Sequence, residues 1–476
     1  MTLLCGVAFS VAGVSFAETF QESLISVYNG HPALAAERAR LRETDESYIQ
    51  ARVQGRPTVS LDGSFGGTLF RTPEFGFDPA TFEPITSGTS IDGFTPLNGQ
   101  LQIIQPIYQG GRVRALKNQA KAGILAAREG LRQSEQDLFL NAATVYSDVR
   151  RDEEVARVRR NDVRVLSRQL EAASTRFDVG VSTRTDIAQA QTRLAAAEIG
   201  LAQADAQLQI SRSSFIQYVG HPPLDLQPVP VFTLPATLGE AIDTARLNNP
   251  SLIAASFNEE AADEAIKVAK SHSKPTVSLA GTAQGTRGQV GFIGSAESVG
   301  IAAQISVPIF SGGLNQSRVR AAENAKTRSL FETRNAERQI DSRVTQLWAQ
   351  LDAAKRMLKA SQSQVQAAKI AFEGVELENS VGTRTTLDVL NAEQELLNAE
   401  LSQIQAAAGV ETATFQLLAV MGGFDATALQ LSVDVYDPAE NLDGIRSDPF
   451  RQVIDEYLPT SVKNSVKNLS DRLESD

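Results

Sequence analysis

Val179–Asp186 reads VGVSTRTD, and Val381–Asp388 reads VGTRTTLD. Each stretch has a glycine where a helix can stop and a threonine three residues before an aspartate, where one can start. The two lie 202 positions apart, 179 to 381. The same offset relates Gln105–Gly111, QPIYQGG, to Val307–Gly313, VPIFSGG, and Tyr218-Val219-Gly220 to Val420-Met421-Gly422. Nearer the start the offset is 218: NGHPAL at Asn29–Leu34 answers NNPSL at Asn248–Leu252, and RPTVSL at Arg56–Leu61 answers KPTVSL at Lys274–Leu279. The chain is an internal duplication. The 16-residue difference falls between about Ser64 and Asn98, and from Pro106 to Gly220 the halves align without a gap. Such a match fits a coiled coil, whose seam an insertion would shift. The mismatch falls where a loop would absorb it.

Heptads run through both halves. Ile187, Leu194, Leu201, Leu208 and Phe215 recur every seven residues beside an Ala190, Ala197, Ala204, Ser211 seam. Val344, Leu351, Leu358, Val365 and Phe372 do likewise, as do Ala392, Ala399, Ala406 and Ala413. Sustained heptads predict coiled coils, and alanine seams predict close helix approach. Gly111–Val179 and Gly313–Val381 contain no proline. At about 1.5 Å per residue each helix reaches on the order of 100 Å, which suits crossing a periplasm better than filling a globular core.

Alternation predicts strands over Thr58–Phe65, Gln100–Ile103, Thr276–Ala283 and Val299–Val307, with apolar and polar residues on opposite faces. That is the pattern of strands in a transmembrane barrel, lipid on one side and water on the other. Four strands cannot close a barrel, and an open sheet edge cannot sit in lipid, so several chains must share one. Pro106 and Pro308 are expected to end strands just before the long helices, at the strand-to-helix junctions.

The first 17 residues are uncharged, with an apolar run from Leu3 to Val14 and Ser15-Phe16-Ala17 after it. This predicts a signal peptide, 1–17, although a basic leading region is missing. Cys5, the only cysteine, lies inside it, and Leu4 stands where a lipidation motif wants a small residue. Later stretches never reach about 18 consecutive apolar residues, so no transmembrane helix is expected. The net charge of −11 and the lack of a basic stripe argue against nucleic acid as a partner.

The fold class expected is an α+β membrane protein. It contributes four strands to a shared transmembrane β-barrel and adds long coiled-coil α-helical hairpins, all internally duplicated. The first repeat spans 18–222, with a strand hairpin at 57–106 and a helical hairpin at 110–220. A Pro-rich bridge follows at 223–236. The second repeat spans 237–423, with a strand hairpin at 275–308 and a helical hairpin at 312–421. A polar tail closes the chain at 424–476, and Val462–Asp476 is expected to be mobile.

Through the duplicated PI-[YF]-x-GG lead-in to the long helix and the duplicated VG-x-x-T-x-x-D turn, the chain resembles the TolC family of outer-membrane channel tunnels over roughly Glu18–Val433. Ser380–Leu390, SVGTRTTLDVL, is especially close. The resemblance implies a homotrimer in outer-membrane lipid: four strands per chain in a twelve-stranded barrel, over a periplasmic tunnel of twelve helices that tapers shut. It also implies an export function, for efflux or type I protein secretion, with an inner-membrane transporter and a periplasmic adaptor (membrane fusion protein).

Carried over by position, the resemblance implies a periplasmic gate. Arg384 would bond near Thr185, and Asp186 would accept from a partner where the family's best-known member has tyrosine and this chain has Asn379. Of two ring aspartates three residues apart, the first is Asp388 and the second position is Asn391. Adaptor tips would meet Gly180, Val181, Ser182, Gly382 and Thr383. The bland reading of the same turns is helix capping by Asp186 and Asp388, and the two are compatible.

Catalytic patterns are missing from the sequence. His31, His221 and His272 pair with no Cys or Glu at metal-ligand spacing, and the Gly-Gly pairs lack a following Lys-Ser/Thr. No enzyme activity, metal or cofactor is expected. Trp348 sits in a heptad helix as a packing residue, and the Phe-rich insertion around Phe70–Phe94 is expected to be an external loop. A periplasmic adaptor would carry one helical hairpin rather than two, and a structural coiled-coil protein would need no alternating strands.

Overall fold

Proline and glycine punctuate the chain into elements that repeat almost residue for residue. A computed structural model describes residues 17–180, 183–288 and 295–447. The segment 1–16 with Cys5, the tip residues Val181 and Ser182, and the tail beyond 447 lie outside the described residues. Helices α1 (Phe20–Gly30) and α2 (Pro32–Val53) match α5 (Leu238–Asn248) and α6 (Pro250–Ser271) in length. His31 and Asn249 separate these pairs in extended backbone, because the proline that follows each disfavours the helical conformation. Helix α3 (Arg112–Asp178) and helix α7 (Leu314–Ser380) have 67 residues each. Helix α4 (Arg184–Val219) has 36 and helix α8 (Thr386–Val420) has 35. A short α9 (Glu440–Ser447) follows. No described helix is long and apolar enough to cross a membrane.

The chain divides into two units, and neither is a repeat. One draws on residues up to Leu41, Ala126–Ser256 and Glu332–Pro438; the other on Arg42–Leu125, Phe257–Phe331 and Ala439 onward. Each therefore contains corresponding parts of both repeats.

The second unit holds the sheet. Strands β1 (Thr58–Phe65), β4 (Leu97–Gln109), β5 (Thr276–Arg287) and β6 (Ser295–Ser306) pair antiparallel in the order β1-β4-β5-β6. Directly paired residues share a face. Val59 faces Ile103, Leu61 faces Leu101, and Phe65 faces Leu97. Gly281 continues the row from Ile103 to Ile301, and Ala283 from Leu101 to Val299. Ser60, Gln102, Thr282 and Gly300 line up on the other face. Register thus gathers the apolar residues of four strands on one side, where Leu61, Phe65, Val299 and Ile301 are exposed. The outer edges of β1 and β6 pair with no strand among the described residues.

Two details differ from the sequence reading. Pro106 does not end its strand: β4 continues to Gln109 through a register shift between Pro106 and Tyr108. A proline has no N–H for the ladder, and a bulge is where a sheet tolerates one. Pro308 does follow the end of β6. The insertion expected as a loop folds as its own hairpin, β2 (Thr68–Phe77) with β3 (Pro84–Phe94), bulged at Glu74/Phe75.

An aromatic cluster organises the first unit. Phe20 of α1 stacks on Phe415 of α8 at 5.5 Å and meets Tyr146 of α3 edge-on at 5.4 Å. Phe232 of the Pro-rich bridge and Phe424 beyond α8 join it. Each buried ring contributes roughly 1.5–3 kcal/mol, so bridge and tail pin both repeats into one core. Trp348 packs against the same core. Along the helices the alanine seams are the buried ones: Ala190, Ala197 and Ala204 on α4, and Ala399, Ala406 and Ala413 on α8.

Candidate functional site at the two hairpin turns

Both turns lie in the first unit and share one backbone design. At the end of α3, Gly180 takes φ +81°, and its amide donates to Phe177 O at 2.8 Å. At the end of α7, Gly382 takes φ +84°, and its amide donates to Asn379 O at 3.0 Å. That left-handed conformation is open to glycine without steric cost. Thr183 then caps α4: its hydroxyl accepts from the Asp186 amide, and the Asp186 carboxylate accepts from the Thr183 amide and hydroxyl at 2.8 Å each. Thr385 and Asp388 repeat the capping box on α8, at 3.0 and 2.7 Å. The Thr385 hydroxyl and amide hold the Asp388 carboxyl below its usual range, so it is ionised at neutral pH.

The side chains diverge. In the second turn Arg384 donates from Nε to Glu378 Oε2 at 2.8 Å, and Asn379 Nδ2 donates to the Arg384 carbonyl at 2.8 Å. The Thr383 hydroxyl donates to Glu378 O at 2.8 Å. The turn is thereby tied to the last residues of α7. Two arginines of the first hairpin then reach the second. Arg176 Nη1 donates to Asn379 Oδ1 at 3.2 Å, and Arg193 Nη2 donates to Asn391 Oδ1 at 3.0 Å. Asn379 and Asn391 are the two acceptors.

Of the residues named from sequence, Asn379, Arg384, Asp388 and Asn391 thus share the second turn and the start of α8. Thr185 and Asp186 lie in the first turn of α4, with Thr185 exposed. Gly180, Gly382 and Thr383 are exposed, and nothing lies within 4 Å of where a Cβ would stand on either glycine. The sequence reading missed Arg176, Arg193, Glu378 and Glu393. Arg176 had a local signal, as a cation in the last turn of a helix. Arg193 had none.

Glu393, on α8, is 7% exposed, and its Oε2 is buried without a hydrogen-bond partner. Burial pushes its pKa up to about 7, and Asp162 on α3 and Glu376 on α7 add to the shift. Burial also raises Asp162, against the pull of Arg159. Beside this group, Leu166, Ala197 and Leu390 join α3, α4 and α8 in a small apolar cluster. Among the described residues no group of three or more His, Cys, Asp or Glu is placed to hold a metal.

The turns, the two-faced sheet and the duplicated helices match known proteins. The family model for "Outer membrane efflux protein" matches residues 26–221 and 241–423. The outer membrane efflux protein BepC of Brucella suis is 28% identical over 438 residues, 92% of each chain. The outer membrane protein TolC of Escherichia coli K12 is 26% identical over 418 residues, 81% of this chain and 83% of that one. Among solved structures, the outer-membrane channel OprN superposes with a TM-score of 0.70 at 21% identity, over 85% of this chain and 90% of that one. The chain therefore belongs to the outer membrane efflux protein family, as an export channel of the outer membrane that extends into the periplasm.

Proposed function

We propose that three copies of this chain form one export duct, and that the duct is gated at its periplasmic end by the two kinds of hairpin turn. Each copy gives β1, β4, β5 and β6 to a twelve-stranded barrel in outer-membrane lipid. The observation that carries this reading is the sheet itself: one apolar exposed face and two unpaired edges. Lipid covers the face, and pairing β1 of one copy with β6 of the next satisfies both edges. The residues 1–17 are removed as a signal peptide, and the two repeats, 18–222 and 237–423, joined by 223–236, build near-equal parts of the wall.

The gate residues are Thr185, Asp186, Asn379, Arg384, Asp388 and Asn391. With Asn391 in place of a second aspartate, a trimer carries three ring carboxylates from Asp388 rather than six, and divalent cations block it weakly. Gly180, Val181, Ser182, Gly382 and Thr383 receive a periplasmic adaptor, which links the duct to an inner-membrane transporter. The duct conducts and does not catalyse; transporter and adaptor select the cargo.

The test contrasts the two sheet faces. Ile301→Lys places a charge in lipid, at about 2–4 kcal/mol near the bilayer midplane, whereas Thr282→Lys places it in the water-filled lumen. Unboiled outer-membrane samples should show a heat-modifiable trimer band for the wild type and T282K, and a diminished one for I301K. Loss of the band in both variants, or in neither, overturns the barrel reading.

A further inference from the structure

We propose that Arg193 is a specificity-determining residue of the constriction, and that it makes the ring charge-balanced instead of acidic. The proposal rests on the reading of Asp388 as the ring carboxylate. Arg193 lies on α4 of the first hairpin; its anchor, Asn391, lies on α8 of the second, three residues after Asp388. Residues three apart on a helix stand on one face, with Cβ atoms about 5–6 Å apart. A guanidinium held on Asn391 Oδ1 at 3.0 Å is therefore anchored to the helix face that carries Asp388.

The acceptor's chemistry decides the charge. An asparagine oxygen accepts the hydrogen bond and gives back no negative charge, and arginine stays protonated at any relevant pH. The other cation of the second turn, Arg384, is paired with Glu378 at 2.8 Å, and its charge also helps hold the Asp388 carboxyl low. At the level of Asn391 each chain then brings one carboxylate, Asp388, and one cation on a neutral acceptor, Arg193, while Arg176 is held by Asn379 at the end of α7. Three chains bring three of each. The substitution at 391 does more than remove half the ring's charge: it leaves an arginine whose charge opposes what remains.

This differs from the simple count of carboxylates in what it requires of variants. Full-length trimers in planar bilayers, titrated with magnesium chloride, read it directly. Arg193→Gln should lower the blocking magnesium concentration by on the order of tenfold, because three opposing charges leave the ring. Arg193→Lys should stay close to the wild type, since it keeps the charge. Asn391→Asp alone should have a smaller effect than R193Q, because the new carboxylate pairs with Arg193. The double variant R193Q/N391D should be blocked most strongly.

Asp388→Asn separates the two ideas. If D388N removes block from the R193Q channel, the ring reading stands. If R193Q alone then behaves as the wild type, the role of Arg193 is overturned. If D388N changes nothing in the R193Q background, the ring reading fails and takes this inference with it. Should R193Q not assemble, Asn391→Ala frees the same cation from its anchor. Sensitivity then rises if the anchored charge matters, and unchanged sensitivity overturns the proposal.

Discussion

The two hairpin turns are built on one backbone and finished with different side chains. Both end a 67-residue helix at a left-handed glycine, and both start the returning helix with a Thr-x-x-Asp capping box. The first turn is electrically complete: Arg176 stands in the last turn of α3, where a cation complements the helix dipole. The last turn of α7 has no basic residue and carries Glu378 instead. It draws its cations from Arg384 across its own turn and from Arg176 of the other hairpin. The duplicated shape recurs at both turns, and the second turn also bonds to Arg176 of the first hairpin.

The largest effect that sharpens this contrast is expected at Glu393. Its counterpart in the first hairpin, Gln191, is exposed, whereas Glu393 is buried against α3. With a pKa raised from 4.5 to about 7, the folded protein holds the proton more tightly than the unfolded chain does. The stabilisation is therefore complete below pH 4.5 and is lost as pH rises through about 7, by ~3 kcal/mol at the most. Amide exchange, corrected for its intrinsic pH dependence, should loosen in the first half of α8 between pH 5 and 8 while α4 changes little. Glu393→Gln should flatten the α8 profile. A parallel response in both helices would show that the second hairpin has no special proton dependence.

Much of this fold was legible in sequence, and what was not has a common cause. The duplication, the long helices, the capped turns and the apolar strand face each follow from periodicity or a local motif. The link Arg176–Asn379 depends on how α3 and α7 are rotated about their axes relative to each other, and Arg193–Asn391 on how α4 and α8 are, which a heptad within one helix does not specify. The burial of Glu393 escaped notice for the same reason: it sits beside seam residue Ala392 but faces a helix of the other hairpin. Pro106 misled because its rule has an exception. Proline ends a strand unless a bulge absorbs it, and here Gln105 Nε2, by donating to Gly55 O at 3.1 Å and Pro106 O at 2.7 Å, helps hold that irregular stretch. The Phe-rich insertion has alternation of its own, but Pro73 and its glycines masked a hairpin in which β2 pairs with β3.

A smaller effect should be equal at the two turns. Gly180→Ala and Gly382→Ala each place a Cβ in left-handed backbone, at about 1–2 kcal/mol, and neither meets a neighbouring atom. Exchange in the flanking helical turns should rise by about the same factor in both variants. A much larger rise at Gly382 would mean that the second turn is already strained by its borrowed contacts, and the shared-backbone comparison would break.

The smallest stability effect carries the sharpest contrast. Asp186→Asn and Asp388→Asn each keep a side-chain acceptor for the capping threonine but remove a negative charge from the positive end of a helix. Each should cost roughly 0.5–1 kcal/mol, read as faster exchange in the first turn of α4 or α8. In each variant the change is expected to centre on its own turn, because the capping-box bonds join residues of that turn. Conductance should separate what stability does not. Asp388 stands three residues before the Asn391 that receives Arg193, so its loss leaves three cations unopposed, and the channel should turn toward anions in a salt-gradient reversal potential. Asp186, on the other hairpin, should shift that potential far less. If the two variants shift it equally, charge at both turns reaches the pathway alike, and the division into a shaping turn and a charge-setting turn is wrong.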